Sequence, residues 1–171
     1  MARLYADEQN HVLSMSYIFT MNGQKLKRKI IFINVPKYHQ AMRSVFEDAL
    51  AYFAGFENFE LIVIDANYTN LANGHLLYKI QQEINPKKFV HIIYIQGWHY
   101  INGVQFLKDL RENSLIQTIP IVISSADDDI EEFLNKQWVV FVSVPICLYE
   151  WARTINMAFK LAILASKAQH N

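Results

Sequence analysis

Five short apolar runs, separated by segments with helical periodicity, constrain the fold of this 171-residue chain more than any other feature. The runs are KIIFIN (29–34), FELIVID (59–65), FVHIIYI (89–95), IPIVISS (119–125) and WVVFVSV (138–144). They are rich in β-branched residues and mostly apolar at odd and even positions alike. A strand that is apolar on both faces needs a cover on both faces, which is typical of a parallel sheet enclosed by helices.

The segments between these runs carry apolar residues at intervals of three and four, which predicts amphipathic helices. The members of these stripes are Met42, Phe46, Ala49, Leu50 and Phe53, then Leu76, Leu77, Ile80 and Ile84, then Val104, Phe106, Leu107 and Leu110, and then Ile130, Phe133 and Leu134. A long final helix is predicted from about Cys147 to Lys167. Strict alternation of strands and helices predicts an α/β domain of the flavodoxin-like, doubly wound type, with a five-stranded parallel sheet and helices on both faces.

Residues 1–28 stand apart from this pattern and are interpreted as an N-terminal extension to a domain of residues 29–171. Within the extension, Asn22-Gly23 lies between the segments HVLSMSYIFT and KLKRK, and Asn-Gly favours the tight turn of a β-hairpin. Such a hairpin would extend the first strand or cover an edge of the sheet, while a partly ordered tail is the alternative. The basic run at 25–29 is expected to be a solvated strand entry rather than a nucleic-acid patch.

Composition narrows the classes of function. Sixteen basic residues balance sixteen acidic ones, so no overall field favours binding to nucleic acid. The single cysteine, Cys147, excludes an intramolecular disulfide framework and a zinc site built from several cysteines. No apolar stretch is long enough to cross a bilayer, and the first residues lack the apolar run of a signal peptide. We therefore expect a cytoplasmic protein without membrane insertion.

Residues 89–129 read as a buried strand, a loop with the pair Asn102-Gly103, an amphipathic helix and a second buried strand that ends in serines. This order resembles the centre of the receiver domain of response regulators in two-component signalling. In that family, a phosphoacceptor aspartate ends the third strand, eight residues before the glycine of an Asp-Gly pair. Eight residues before Gly103 this chain has Ile95, which cannot accept a phosphoryl group. The resemblance therefore implies a receiver fold without receiver chemistry.

The resemblance also implies where the other positions of the receiver phosphorylation pocket fall. The acidic pair that binds Mg²⁺ in receivers falls on Asn34 and Val35, the hydroxyl residue on Ser125, the Lys-Pro pair on Val144 and Pro145, and the switch aromatic on Phe141. Only Ser125, Phe141 and Pro145 keep the expected chemistry. A pocket without carboxylates or lysine should bind no Mg²⁺ and take no phosphoryl group. We therefore expect a degenerate pocket, no cofactor and no enzymatic activity.

A second alignment makes Asp65 the phosphoacceptor, because Gly74 follows it at nine residues. That alignment leaves one strand before the acceptor strand and three after it, whereas receivers have two on either side. The alternative interpretation of Asp65 is a loop carboxylate that bonds turn amides around Asn67 and Asn70. A genuine phosphorylatable receiver that uses Asp65 is thus a second hypothesis.

Other kinds of site have weaker support. His39, His75 and His99 fall in or near loops at the carboxyl end of the sheet, but their irregular spacing favours ordinary loop histidines over metal ligands. The serines lack a G-x-S-x-G motif, and neither G-x-G-x-x-G nor a phosphate-binding loop follows the first strand. A third hypothesis is a small-molecule-binding domain whose polar contacts are Asn34, Asp65 and Ser125.

Aromatic and apolar residues near the pocket and on the last helices would suit a protein partner or a second copy of the chain. Trp98 and Tyr100 fall in the loop beside the pocket, where large aromatic side chains can anchor a partner. Two helices add the other candidate interface residues, which are Ile130, Phe133, Trp151, Ile155 and Phe159. The final helix carries a second apolar stripe, whose alternative role is burial against the N-terminal extension, with Met157, Leu161 and Leu164. The sequence thus favours a phosphorylation-independent signalling or adaptor protein.

Overall fold

From Gln24 to Ser125, the described strands and helices alternate along the chain, as the apolar pattern predicts. A computed structural model describes residues 19–21, 24–34, 39–54, 59–66, 74–96, 103–125, 138–143 and 147–168. The strands are β1 (Phe19–Met21), β2 (Gln24–Asn34), β3 (Phe59–Asp65), β4 (Phe89–Gln96), β5 (Ile121–Ser125) and β6 (Val139–Ser143). The helices are α1 (His39–Ala54), α2 (His75–Glu83), α3 (Gly103–Glu112) and α4 (Leu148–Ala168). None of these described helices combines the length and hydropathy that a membrane span needs.

Strands β2 to β6 form one parallel sheet in the order β3-β2-β4-β5-β6. Numbered along the chain, this is the 2-1-3-4-5 arrangement of flavodoxin-like domains. The chain passes from β2 to β3 on one side, then returns to place β4 on the other side of β2. The predicted fold is therefore confirmed, with β4 as the central strand and the switch in strand order between β2 and β4.

A short hairpin precedes the parallel sheet. Residues 19–21 of β1 pair antiparallel with residues 24–26 of β2, which confirms the hairpin predicted from Asn22-Gly23. β2 continues without a break to Asn34, so the hairpin extends the first strand of the sheet, which begins five residues earlier than the apolar run predicts. From Arg28 onward, both edges of β2 are occupied, one by β3 and the other by β4. β1 can therefore pair with β2 only ahead of that residue.

Both faces of the parallel sheet are buried, each under a different pair of helices. α1 and α4 cover one face, and α2 and α3 cover the other with an apolar cluster of their own. Aromatic rings pack closely under α1 and α4. The ring centroids of Phe46 and Trp151 are 4.2 Å apart, and those of Phe32 and Tyr94 are 4.8 Å apart. Since burial of each large side chain contributes roughly 1.5–3 kcal/mol, these contacts fix α1 and α4 on the sheet.

Most of the predicted helical stripes face the sheet. The buried members are Phe46, Ala49 and Leu50 of α1, Leu76 and Ile80 of α2, and Phe106, Leu107 and Leu110 of α3. Val104 was expected to face inward but is 38% exposed. It lies one residue after the buried Gly103, and one residue turns the side chain about 100° around a helix, away from the buried stripe. The predicted helix that contains Ile130, Phe133 and Leu134 lies outside the described residues.

One partly buried cation, Arg111 at the end of α3, ties the entries of β5 and β6 together. Its Nη1 donates to the carbonyl oxygens of Gln117 and Ile119, each at 2.9 Å, and its Nη2 donates to that of Trp138 at 3.0 Å. Trp138 has a left-handed backbone with φ 69°, which a bulky residue adopts only when its surroundings hold it there. Burial lowers the pKa of Arg111 to about 10, so the guanidinium is still charged at neutral pH.

We expect Arg111→Lys to lower the free energy of unfolding by about 2 kcal/mol, because one ammonium group cannot reach the carbonyl oxygens on both sides of a guanidinium. Urea unfolding followed by circular dichroism measures the change. Lys108→Ala alters an exposed cation on the same helix and should change the free energy by less than about 0.5 kcal/mol. Equal losses in the two variants would contradict this role for Arg111.

Candidate functional site

The carboxyl ends of the parallel strands meet at one edge of the sheet, where ligands bind in folds of this kind. Strand register places Asn34 of β2 beside Asp65 of β3, and Ser125 of β5 beside Ser143 of β6. Gln96 ends the central strand between these two pairs. The structure thus brings the backbone positions of Asn34, Asp65 and Ser125 to the same edge.

The position that the resemblance gives to the phosphoacceptor, Ile95, lies on the central strand one residue before its end. Ile95 is paired with Ile33 of β2 and Ile123 of β5, and all three side chains are fully buried. They belong to the apolar cluster under α2 and α3. A carboxylate at this position would be desolvated among isoleucines, which disfavours its charged form. The apolar core therefore continues to the edge at which a receiver binds its phosphoryl group.

Asp65 ends β3, which is an edge strand of the described parallel sheet, and its side chain is exposed. In a receiver, the acceptor aspartate ends the central strand, with two strands on either side. Here the central strand is β4. The strand order therefore disfavours the alignment that makes Asp65 the acceptor, and it agrees with the alignment that gives this position to Ile95.

Several residues singled out in the sequence lie outside the described part of the chain. They are Val35, Asn67, Asn70, Trp98, His99, Tyr100, Ile130, Phe133, Val144 and Pro145. Phe141 lies on β6, and His39 is the first residue of α1. His75 is exposed at the start of α2. Within the described ranges, no three histidine, cysteine or acidic side chains come together in a group that could hold a metal ion.

Polar groups are buried among aromatic rings on the face that α1 and α4 cover. Tyr94 and Ser124 lie on adjacent strands, and the ring of Trp151 in the first turn of α4 is 5.9 Å from that of Tyr94. Burial raises the pKa of Tyr94, although the nearby Ser124 and Trp151 side chains oppose the shift. Tyr94 is therefore a neutral phenol at neutral pH, suited to packing and hydrogen bonding rather than to acid or base chemistry.

Three of the predicted interface residues belong to the core instead. Trp151, Ile155 and Phe159 are at most 1% exposed and pack in the cluster between α4, α1 and the sheet. The prediction that they form an interface is wrong, because α4 carries two apolar stripes and the sheet covers the one that contains these residues. The second stripe faces outward, with Met157 48% exposed and Leu164 59% exposed.

At the amino end of the sheet, a buried lysine lies in an ion-pair cluster that the sequence analysis did not identify. Lys29 of β2 is only 5% exposed, and its Nζ is 2.7 Å from a carboxylate oxygen of Glu83 and 2.8 Å from one of Glu60. The Phe89 ring centroid lies 5.0 Å from the same nitrogen. Burial opposes the charge of Lys29, but hydrogen bonds with the two glutamates outweigh it and raise its pKa. No sequence pattern links these residues, since strand register and helix packing bring them together.

His91, the strand partner of Lys29 on β4, is buried in its neutral form. Its Nε2 accepts a hydrogen bond from the Asn85 backbone N–H at 3.0 Å, which assigns the proton of the neutral ring to Nδ1. Burial and the neighbouring Lys29 charge lower the pKa of His91 to about 4. The pKa of an unfolded histidine is about 6.5, so acid favours the unfolded chain.

The free energy of unfolding should therefore fall by about 3 kcal/mol from this residue alone as the pH decreases from 6.5 to 4. In that window the unfolded chain binds a proton that folded His91 does not, whereas above it the ring is neutral in both states. His91→Gln should remove this contribution, and His75→Gln, which changes an exposed histidine, should keep it. Urea unfolding across the pH range measures both, and an unchanged slope in His91→Gln would contradict the assignment.

Comparison with known proteins adds a structural likeness. The sequence matches no protein-family profile and no curated protein sequence. Among solved structures, the chain is similar to a response regulator in red light signaling of R. palustris, with a TM-score of 0.50 and 10% sequence identity. The match covers 76% of this chain and 90% of that one. At this identity the likeness shows the fold alone, and it agrees with the flavodoxin-like arrangement of the parallel sheet.

Proposed function

We propose that this chain is a non-enzymatic signalling domain with a receiver-like fold, which acts through protein–protein contact and independently of phosphorylation. The observation that carries the proposal is the row of buried isoleucines, Ile33, Ile95 and Ile123, across three adjacent strands at the level of the acceptor. A phosphoacceptor must present an oxygen nucleophile to a phosphoryl donor, and an isoleucine side chain has none.

The other requirements of phosphoryl transfer point the same way. Mg²⁺ needs several oxygen ligands, and transfer needs a fixed positive charge near the phosphoryl oxygens. In the sequence, Asn34 and Val35 stand where receivers have the acidic pair, and Val144 stands where they have the lysine. Among the described strand ends at this edge, the carboxylate is that of Asp65, on an edge strand rather than the central one. These features support a role in protein–protein contact rather than in phosphoryl transfer.

Incubation with acetyl phosphate and Mg²⁺ is expected to leave the intact mass of the protein unchanged, because the acceptor position holds an isoleucine. Intact-mass spectrometry makes the measurement, with Asp65→Ala as the matched variant and a phosphorylatable receiver as the positive control. A gain of one phosphoryl group that disappears in Asp65→Ala would overturn the proposal and make Asp65 the acceptor.

The outward stripe of α4 is the described surface that best supports protein contact. Met157 and Leu164 are seven residues apart and therefore lie on the same side of the helix, with the partly buried Leu161 between them. α4 also packs against β6, an edge strand of the described sheet. Contiguous exposed apolar side chains are typical of interaction sites. The resemblance to receivers favours the same surface, since they commonly dock partners or dimerise through the last helix and strand.

Leu164→Asp should weaken self-association at least about tenfold, or about 1.4 kcal/mol, because an interface would have to desolvate the new charge. Sedimentation equilibrium gives the dissociation constant. Tyr78→Asp is the matched control, since Tyr78 is also exposed but lies on α2 on the other face of the sheet. Equal weakening in both variants would contradict a specific role for α4, and a chain that is monomeric at every concentration would reject a homodimer.

A further inference from the structure

A groove of about 250 Å³ opens at the amino end of the sheet, away from the strand ends described above. One of its walls is the turn that joins α2 to β4, and another is the turn that joins α3 to β5. Ala162 and Ala165, on the C-terminal half of α4, also line the groove. Their short side chains leave space that larger residues would fill, so the groove separates the end of α4 from the two turns.

Hydrogen bonds hold both turns in place. In the first turn, the backbone N–H of Phe89 donates to the carbonyl oxygen of Asn85 at 3.0 Å, and in the second, that of Gln117 donates to the carbonyl oxygen of Asn113 at 2.9 Å. The guanidinium of Arg111 also donates to the carbonyl oxygen of Gln117, at 2.9 Å. The walls are thus fixed by contacts within the chain, and a groove that is formed in advance is typical of small-molecule sites.

The lining and the volume of the groove define the kind of molecule that fits. Most of the lining is apolar, and its imidazole, that of His91, is neutral at neutral pH because its pKa is lowered to about 4. An apolar cavity of about 150 Å³ holds one benzene molecule. A groove of about 250 Å³ therefore accommodates one aromatic ring system with a short side chain, or roughly ten to fifteen non-hydrogen atoms.

Exposed lysines surround the first of the two turns. Lys87 and Lys88 lie between Pro86 and Phe89, which both line the groove. Lys27, which is also exposed, is the strand partner of Phe89 on β2. A cluster of like charges raises the local concentration of ions of the opposite sign. The rim of the groove therefore favours an anionic group on the ligand over a cationic one.

We propose that this groove binds a small aromatic carboxylate, with its ring against the apolar lining and its carboxylate at the rim beside Lys87 and Lys88. This orientation follows from solvation, since a carboxylate that entered the apolar interior would lose its water without gaining a partner. The site does not depend on the proposed signalling function, which concerns the carboxyl edge of the sheet and the outward stripe of α4. Failure of either proposal would leave the other standing.

Binding of indoleacetate to the isotope-labelled full chain, followed by NMR, tests the proposal. This probe has about thirteen non-hydrogen atoms, and a ligand of that size at ordinary efficiency has a Kd of about 1 mM. The amide signals of residues 85–89 and 113–119 should shift and reach saturation, because these residues form the two turns. Tryptamine, which has the same ring and the opposite charge, should bind at least about tenfold more weakly.

Two exposed leucines give a matched test of the apolar lining. Leu115 lines the groove and is 58% exposed, whereas Leu164 is 59% exposed and lies outside the lining. Leu115→Ser should weaken the binding of indoleacetate at least about threefold, because it removes apolar area from a wall of the groove. Leu164→Ser should leave the Kd unchanged.

Charge reversal tests the rim. Lys87→Glu with Lys88→Glu should weaken the binding of indoleacetate at least about tenfold, because the carboxylate then meets like charge. Lys79→Glu with Arg153→Glu reverses as many charges on α2 and α4, outside the lining, and should change the Kd less than about twofold. All the substituted side chains are at least partly exposed, so the core should stay folded in every variant.

Three results would each overturn the proposal. The first is the absence of saturable shifts at the two turns up to about ten times the expected Kd, which would mean that another part of the chain covers the groove or that the site binds nothing of this class. The second is an equal effect of the two variants in either matched pair. The third is an apparent Kd that rises with protein concentration, since a second copy of the chain would then cover the groove.

Discussion

The pairing of β2 with β4, under helices on both faces, is the constraint on which the rest of the structure depends. Residues 30–33 pair with residues 92–95, and the side chains of both sets are almost entirely buried. A strand in this position holds a charged side chain only where the fold supplies a partner. Lys29 has two such partners, because the register of β3 and the end of α2 bring Glu60 and Glu83 to its ammonium group.

The same burial continues to the opposite end of the strands, at the carboxyl edge of the sheet. A phosphorylation pocket needs charged side chains that are accessible to water and can bind a metal ion. Here Ile95 and its two strand neighbours, Ile33 and Ile123, continue the apolar core to the edge of the sheet. Burial of apolar area favours this arrangement by roughly 25 cal/mol per Å². Apolar side chains that are available for contact lie instead on the outer surface of α4, where Met157 and Leu164 are exposed.

The predictions that were confirmed rest on local sequence pattern. The predictions that were wrong depended on which face of a helix packs against the sheet, and local pattern does not contain this information. Apolar runs and helical spacing predicted the parallel sheet, and Asn22-Gly23 predicted the hairpin. On α4, both stripes are apolar, so no local signal tells which one packs on the sheet. In the structure, the ring of Trp151 stacks on that of Phe46, so the stripe that contains Trp151 packs on the sheet. The predicted interface residues of α4 therefore lie in the core.

By itself the sequence determined the class of fold and the apolar character of the strand end at Ile95, because periodicity and residue type are local properties. Only the tertiary structure decided which groups share an environment. Strand register and helix packing bring Lys29 to Glu83, 54 residues away along the chain, and bury His91 beside them in its neutral form. Such contacts form when separate strands and helices pack together, and their partners are therefore not encoded in any short stretch of sequence.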